Sequence, residues 1–244
     1  MNEVRCPVVE LRQYTLQPGQ RDVLIDLFDR ELVETQEAAG MAILGQFRDL
    51  DEPDRFVWLR GFDGMTSRAQ ALARFYGGPA WKTHSAHANA TMIDSDNVLL
   101  LRPATARSSF PAPAAARPPV SHTAPPTSRV LATLYYCDRP FDNAFMDFFD
   151  RQARPVLDQT GAAPLACLRT EHAKNTFPAL PVRTGENVFA WFARFPSLTH
   201  LSDHLRQLER SLRWQERVLP TLSAVLTRTP QRLRLAPTAR SLLR

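Results

Sequence analysis

Apolar and polar side chains alternate with a period of two from Val8 to Leu16, which predicts a strand, and the largely apolar segment from Arg55 to Phe62 predicts another. Between them Leu24, Leu27, Phe28 and Leu32 recur at helical spacing. That spacing predicts a helix opened by the turn Gln17-Pro18-Gly19-Gln20, running to Ala39 and ended by Gly40. Met41 to Arg48 adds a strand, joined to Arg55 through the turn-rich segment Asp49-Leu50-Asp51-Glu52-Pro53-Asp54. A second helix is predicted from Ser67 to about His87, broken near Gly77-Gly78-Pro79, and a last strand from Asn97 to Arg102.

The same order returns in the second half: strand from Arg129 to Tyr136, helix from Asn143 to Gln159, strands from Pro164 to Arg169 and Asn187 to Phe195, helix from Leu198 to about Arg217, strand from Arg232 to Leu235. The copies count into register. Tyr14 meets Tyr135 and Phe28-Asp29-Arg30 meets Phe149-Asp150-Arg151 at an offset of 121; Trp58 meets Trp191, Leu72 meets Leu205 and Trp81 meets Trp214 at 133. The extra length lies between Thr170 and Glu186. A repeat of this length is a duplicated domain, since each copy can hold its own core. The expected organisation is residues 1–104, a Pro/Ala-rich linker over 105–128, and a degenerate second copy over 129–244. The βαββαβ order is the ferredoxin-like arrangement, an α+β fold whose helices cover one sheet face. The other face needs cover, which two copies packed sheet to sheet supply for each other.

Period two also sorts side chains by face. Val9, Leu11, Val57 and Leu59 form an apolar set that suits the helices. Glu10, Arg12, Tyr14, Trp58 and Arg60, with Gln46, form a mixed set expected on the face enclosed between the two sheets. At the repeat positions Glu10 becomes Leu131, Arg12 becomes Thr133, Gln46 becomes Cys167 and Arg60 becomes Ala193, whereas Tyr14 and Trp58 persist. If one of the two cavities is functional, it is therefore expected to be the one built on the first half. Two readings of the set stand: a buried ion pair of Glu10 with Arg12 or Arg60 that fixes how the sheets meet, or arginines that bind an anionic or carbonyl-bearing small molecule.

The densest polar cluster, from Phe75 to Asn97, includes Trp81, His84 and His87. His84 and His87 share a helix face, but a pair three residues apart without a third ligand does not make a metal site. His84 reads as a structural or surface histidine or as a substrate-facing one. Asn89, Asp94 and Asp96 read as capping and turn residues.

Composition removes several classes. Three cysteines without a C-x-x-C spacing argue against a disulfide framework and a zinc site. The net charge of +5 comes almost wholly from arginines, dispersed except near the C-terminus, where no aromatic interleaving or binding motif accompanies them, so no nucleic-acid partner is expected. No apolar run approaches the length of a membrane span, and residues 1–7 show no secretory pattern, so a cytoplasmic protein is expected. Walker, G-x-S-x-G and dinucleotide-binding patterns do not occur.

The opening Val9-Glu10-Leu11-Arg12-Gln13-Tyr14-Thr15-Leu16-Gln17-Pro18-Gly19 resembles the E-L-R-x-Y-x-L-x-P-G start of NIPSNAP-family domains. The resemblance continues through Phe56-Val57-Trp58-Leu59-Arg60-Gly61-Phe62, Trp81 and Val98-Leu99-Leu100-Leu101-Arg102-Pro103-Ala104, and reaches residues 129–238 only as a degenerate copy. It implies the dimeric α/β-barrel superfamily, whose members include cofactor-independent monooxygenases, haem-binding enzymes and muconolactone-isomerase-like proteins; NIPSNAP domains themselves have no generally established reaction. Two functions remain open. One is a monooxygenase-like enzyme without bound cofactor or metal, in which Arg12 and Arg60 orient an anionic oxygen, Tyr14 and His84 move protons, and Glu10, Gln46, Trp58 and Trp81 complete the pocket. The other is a scaffold or interaction protein, and self-association into a homo-oligomer is compatible with both. An open space beside Arg12 and Arg60 favours the enzyme, and a space filled by their own ion pairs opposes it.

Overall fold

The computed structural model describes residues 6–113 and 115–244. The reading of the N-terminus as lacking a leader falls largely on residues 1–5, outside the described residues. In the first half β1 (Val8–Leu16) leads into α1 (residues 21–38), a helix with a π turn at Phe28–Leu32. Gly40, at φ +102°, ends α1 in a conformation that side-chain-bearing residues avoid. Next come β2 (Ala42–Asp49), β3 (Arg55–Phe62), α2 (Met65–Tyr76) and α3 (Pro79–Ala90). The break between α2 and α3 falls at Gly77-Gly78, with Pro79 opening α3 where its missing N–H costs nothing. A short β4 (Met92–Asp94), absent from the sequence reading, precedes β5 (Val98–Pro103).

The second half runs β6 (Arg129–Cys137), α4 (residues 143–159), β7 (Pro164–Thr170), β8 (Asn187–Phe195), α5 (Leu198–Arg210), α6 (residues 214–225) and β9 (Gln231–Pro237). The helix expected to run unbroken to Arg217 is interrupted after Arg210. The Asp142 side chain accepts from the Phe145 N–H at 2.9 Å and caps α4.

Within residues 8–103 the strands lie in the order β5-β1-β3-β2, and within 129–237 in the order β9-β6-β8-β7. The halves also meet through their edges, where β2 pairs with β9 and β5 with β7, both antiparallel. The result is a mixed α/β fold: a closed barrel of eight antiparallel strands with β4 added beside β1, and six helices among the described residues.

Closure decides which face is inside. Val9, Leu11, Val57, Leu59, Leu99 and Leu101 share one buried cluster with Val130, Ala132, Leu134, Val188, Ala190 and Phe192, so this apolar set fills the barrel. Tyr14, Trp58 and Phe62 pack instead with Leu24, Phe28, Leu32, Leu72 and Phe75 of the helices. The expected assignment of faces is therefore reversed. The interior of this barrel is filled by apolar side chains of its strands and by Phe110 from the connection, which brings no partner for a charge, so charges there would stay unpaired. Under the helices such partners exist.

The proline-rich connection does more than span a surface. Phe110 is 6% exposed and belongs to the barrel core, its ring 5.0 Å from that of Phe192. Arg117 donates to the Ile43 carbonyl at 2.6 Å, the Arg240 carbonyl at 2.7 Å and Glu37 at 2.7 Å. Among the described residues no helix is long and apolar enough to cross a membrane. Residues 6–104 expressed alone would expose the inward faces of β1, β3 and β5 and the edges of β2 and β5. Such a fragment is expected to self-associate or aggregate, and a monodisperse monomer in analytical ultracentrifugation would contradict the account.

Candidate functional site

The register of β1 on β3 sets Glu10 beside Arg60 and Arg12 beside Trp58, on the face beneath α1 and α2. Glu10 is wholly buried and accepts three guanidinium hydrogen bonds: from Arg12 at 2.7 Å and Arg60 at 2.7 Å on Oε2, and from Arg68 at 2.6 Å on Oε1. Burial alone would raise the Glu10 carboxyl, but Arg60, Arg12 and Arg68 outweigh it and hold the group well below the ordinary carboxylate range. Aromatic rings enclose the cations: the Arg12 guanidinium lies 5.4 Å and that of Arg60 5.0 Å from the Trp58 ring, and Arg60 is 5.6 Å from Phe62. Arg12 Nε also donates to the Tyr14 hydroxyl at 2.9 Å, while burial raises that phenol's pKa.

Arg68, on α2, was missed in the sequence. Its signal was there: it lies three, four and seven residues before Ala71, Leu72 and Phe75, so a charge sits on the apolar stripe of a covering helix. The long connection after β7 closes over this centre from the second half. Asn175 Oδ1 and Thr176 Oγ1 accept from Arg68 Nη1 at 2.9 and 3.4 Å, Thr176 donates to the Met65 carbonyl at 3.0 Å, and Phe177 stacks on Tyr76 at 5.9 Å.

Three guanidiniums thus face one carboxylate, an excess of two positive charges (three minus one). The remaining acceptors on Arg60 and Arg68 are neutral: Gln36, Met41, Asn175 and Thr176. Buried polar atoms left without a partner at this centre are Trp58 Nε1, Arg60 Nη2 and Arg68 Nη2, and all three are donors.

The other predicted site residues lie apart from it. Gln46 shares the helix-facing side of the sheet but reaches Asp29, at 3.3 Å, and Arg117, at 3.5 Å. Burial pushes the Asp29 carboxyl up to about 6 despite Arg240 nearby. Trp81 packs on Phe75 and Tyr76 at 5.7 and 5.0 Å. His84 Nε2 lies 3.6 Å from Glu31 on the outer side of the helices, and His87 is exposed. The Asp94 side chain accepts from the Asp96 N–H at 2.8 Å, the turn role expected of it. The space beside Arg12 and Arg60 is filled by their ion pairs, so of the two alternatives left open by the sequence the filled one is found.

An open cavity occurs instead at the corresponding place in the second half. It measures about 200 Å³ between the sheet and α5 and α6, beside Leu131, Thr133, Tyr135, Trp191, His204 and Trp214. Side-chain size accounts for the difference: Leu131, Thr133 and Ala193 stand where the first half has Glu10, Arg12 and Arg60. His204, too, sits on the apolar stripe of its helix, three residues after Leu201 and four before Leu208. Burial lowers its pKa from 6.5 to about 4, against a backbone hydrogen bond to Thr160 that raises it. The unfolded chain therefore takes up the proton first on acidification, so the stability tied to neutral His204 is complete above about pH 6.5 and lost as pH falls towards about 4. A His204→Leu variant is expected to lose that part of the pH dependence in urea melts; an unchanged profile would contradict the assignment.

The barrel with its outer helices is similar to monooxygenase-like dimeric α/β-barrel folds. Two candidate monooxygenases of known structure resemble the chain. The one from Fusobacterium nucleatum has 8% identity, with 96% of this chain and 94% of that one covered and a TM-score of 0.56. The one from Lactobacillus acidophilus NCFM has 11% identity, 96% and 94% coverage and a TM-score of 0.53. An anthrone oxidase-like protein shows 13% identity, 96% and 92% coverage and a TM-score of 0.58. At such identities the likeness shows the fold alone. Residues 9–107 match the family model described as NIPSNAP, so the first half is a NIPSNAP domain. No curated protein matches the chain in sequence.

Proposed function

We propose that this chain binds a small anionic or carbonyl-bearing molecule on the helix-covered face of its first half, at Arg60 and Arg68. We read each half as a ferredoxin-like unit, the second a degenerate copy that completes the barrel and supplies the segment over the site. One observation carries the reading: the unpaired buried atoms around Glu10 are all donors, and the centre holds two positive charges in excess. Buried donors without acceptors are costly, and an acceptor-rich ligand relieves that cost. Room for it requires the 171–186 connection to move, because Arg68 now spends Nη1 on Asn175 and Thr176.

Turnover is not part of this proposal. Tyr14 is engaged by Arg12, and His84 contacts Glu31 rather than the arginine centre. A second reading, the scaffold, is favoured by the direct contact of all three arginines with Glu10, which leaves the space filled. The two separate in thermal melts at matched ionic strength. Benzoate or inorganic phosphate is expected to raise the Tm of the natural chain above that in chloride, and Arg60→Ala is expected to remove the increment. Equal melts in all three salts would leave the scaffold reading in place.

A further inference from the structure

We infer that the second half carries a separate ligand site, the cavity beneath α5 and α6, which takes a neutral one- or two-ring molecule whose hydroxyl donates to His204 and accepts from Thr133. It rests on different residues from the anion site and has the opposite chemistry.

The hydrogen-bond pattern around His204 assigns its tautomer. The Thr160 hydroxyl donates its one proton back along α4, to the Val156 carbonyl at 2.9 Å or that of Leu157 at 3.1 Å. Toward His204 Nδ1, 2.9 Å away, Thr160 Oγ1 therefore acts only as an acceptor, and the Thr160 carbonyl at 3.3 Å is an acceptor too. Nδ1 carries the proton. Nε2 is left as a bare lone pair, wholly buried and without a partner. Burial keeps the ring neutral at physiological pH.

Thr133 Oγ1 is the second unpartnered atom, on a residue 3% exposed that lines the same cavity. The Tyr135 hydroxyl accepts from Trp191 Nε1 at 3.2 Å. The remaining buried walls are apolar or aromatic, Leu131, Leu208, Trp214 and Leu222 among them, and Thr229 lines the cavity from an exposed position. The cavity of about 200 Å³ exceeds what one water fills, and an apolar cavity of about 150 Å³ already accepts a benzene ring. A hydroxyl answers both unpaired atoms at once, whereas a carboxylate would set its lone pairs against that of Nε2. Arg232, the cation at this cavity, is exposed and so remains solvated at the rim.

The test is calorimetric titration of the full chain with 2-naphthol, naphthalene and 2-naphthoate at pH 7. The naphthol is expected to bind at least about tenfold more tightly than either of the others. Thr133→Val, which keeps side-chain shape, and His204→Leu are each expected to weaken naphthol about tenfold and to leave naphthalene unchanged. If His204→Leu fails to fold, Thr133→Val decides alone. Equal affinity for naphthol and naphthalene, tighter binding of the naphthoate, indifference of naphthol to Thr133→Val, or no binding of any probe would each overturn the proposal.

Discussion

Replacing Glu10 by leucine is expected to destabilise the chain by at least the ~3–5 kcal/mol that follows from stranding one buried charge, because it strands three. Arg12, Arg60 and Arg68 all lose the same carboxylate in a region with no exposure to water. Arg60→Ala is expected to cost clearly less. Glu10 then keeps Arg12 and Arg68, and the excess positive charge falls by one. This departs from a simple pair, in which either deletion strands the other partner. The double variant Glu10→Leu with Arg60→Ala is expected to recover only part of the loss, since two guanidiniums remain unmatched. Urea melts of the three variants measure it; an Arg60→Ala loss as large as that of Glu10→Leu would sink the shared-carboxylate account. Because the Glu10 pKa is depressed in the fold, its contribution is complete above the ordinary carboxylate range, declines once the unfolded chain takes up the proton within that range, and is gone in stronger acid.

Phe110→Ala is expected to cost ~3 kcal/mol or more, the usual scale for truncating a buried phenylalanine. A residue in a free linker would change stability by no more than ~0.5 kcal/mol. Phe110 instead sits in the barrel core against Phe192, and the adjoining Ser108 accepts from the Cys167 N–H through its carbonyl at 2.9 Å. The connection thus acts as part of the core. Chemical melts of Phe110→Ala beside Val120→Ala, an exposed position in the same connection, make the comparison internal; equal and small effects would return the segment to a passive linker.

The elements themselves were legible in the chain. Alternation marked β1 and a short apolar run marked β3, both to their end residues, and Gly77-Gly78-Pro79 marked the break between α2 and α3, because backbone geometry and local sterics act over a few residues. The opening Glu10-Leu11-Arg12-Gln13-Tyr14 pointed to the NIPSNAP domain that the family model finds over residues 9–107. Alternation also sorted Val9 and Leu11 from Glu10 and Arg12, but it says only that two faces differ. Which face is inside was decided by the pairing of β2 with β9 and β5 with β7, contacts between residues far apart in the chain. Arg68 and His204 escaped notice because each occupies an apolar helix stripe, and a stripe position acquires its meaning from what the opposite sheet presents: Glu10 in one half, a cavity edged by Thr133 in the other. Phe110 escaped because proline-rich composition describes chain stiffness and not where an aromatic ring is buried. Short-range sterics are written in neighbouring residues, whereas burial and charge pairing depend on which distant side chains the closed barrel brings together.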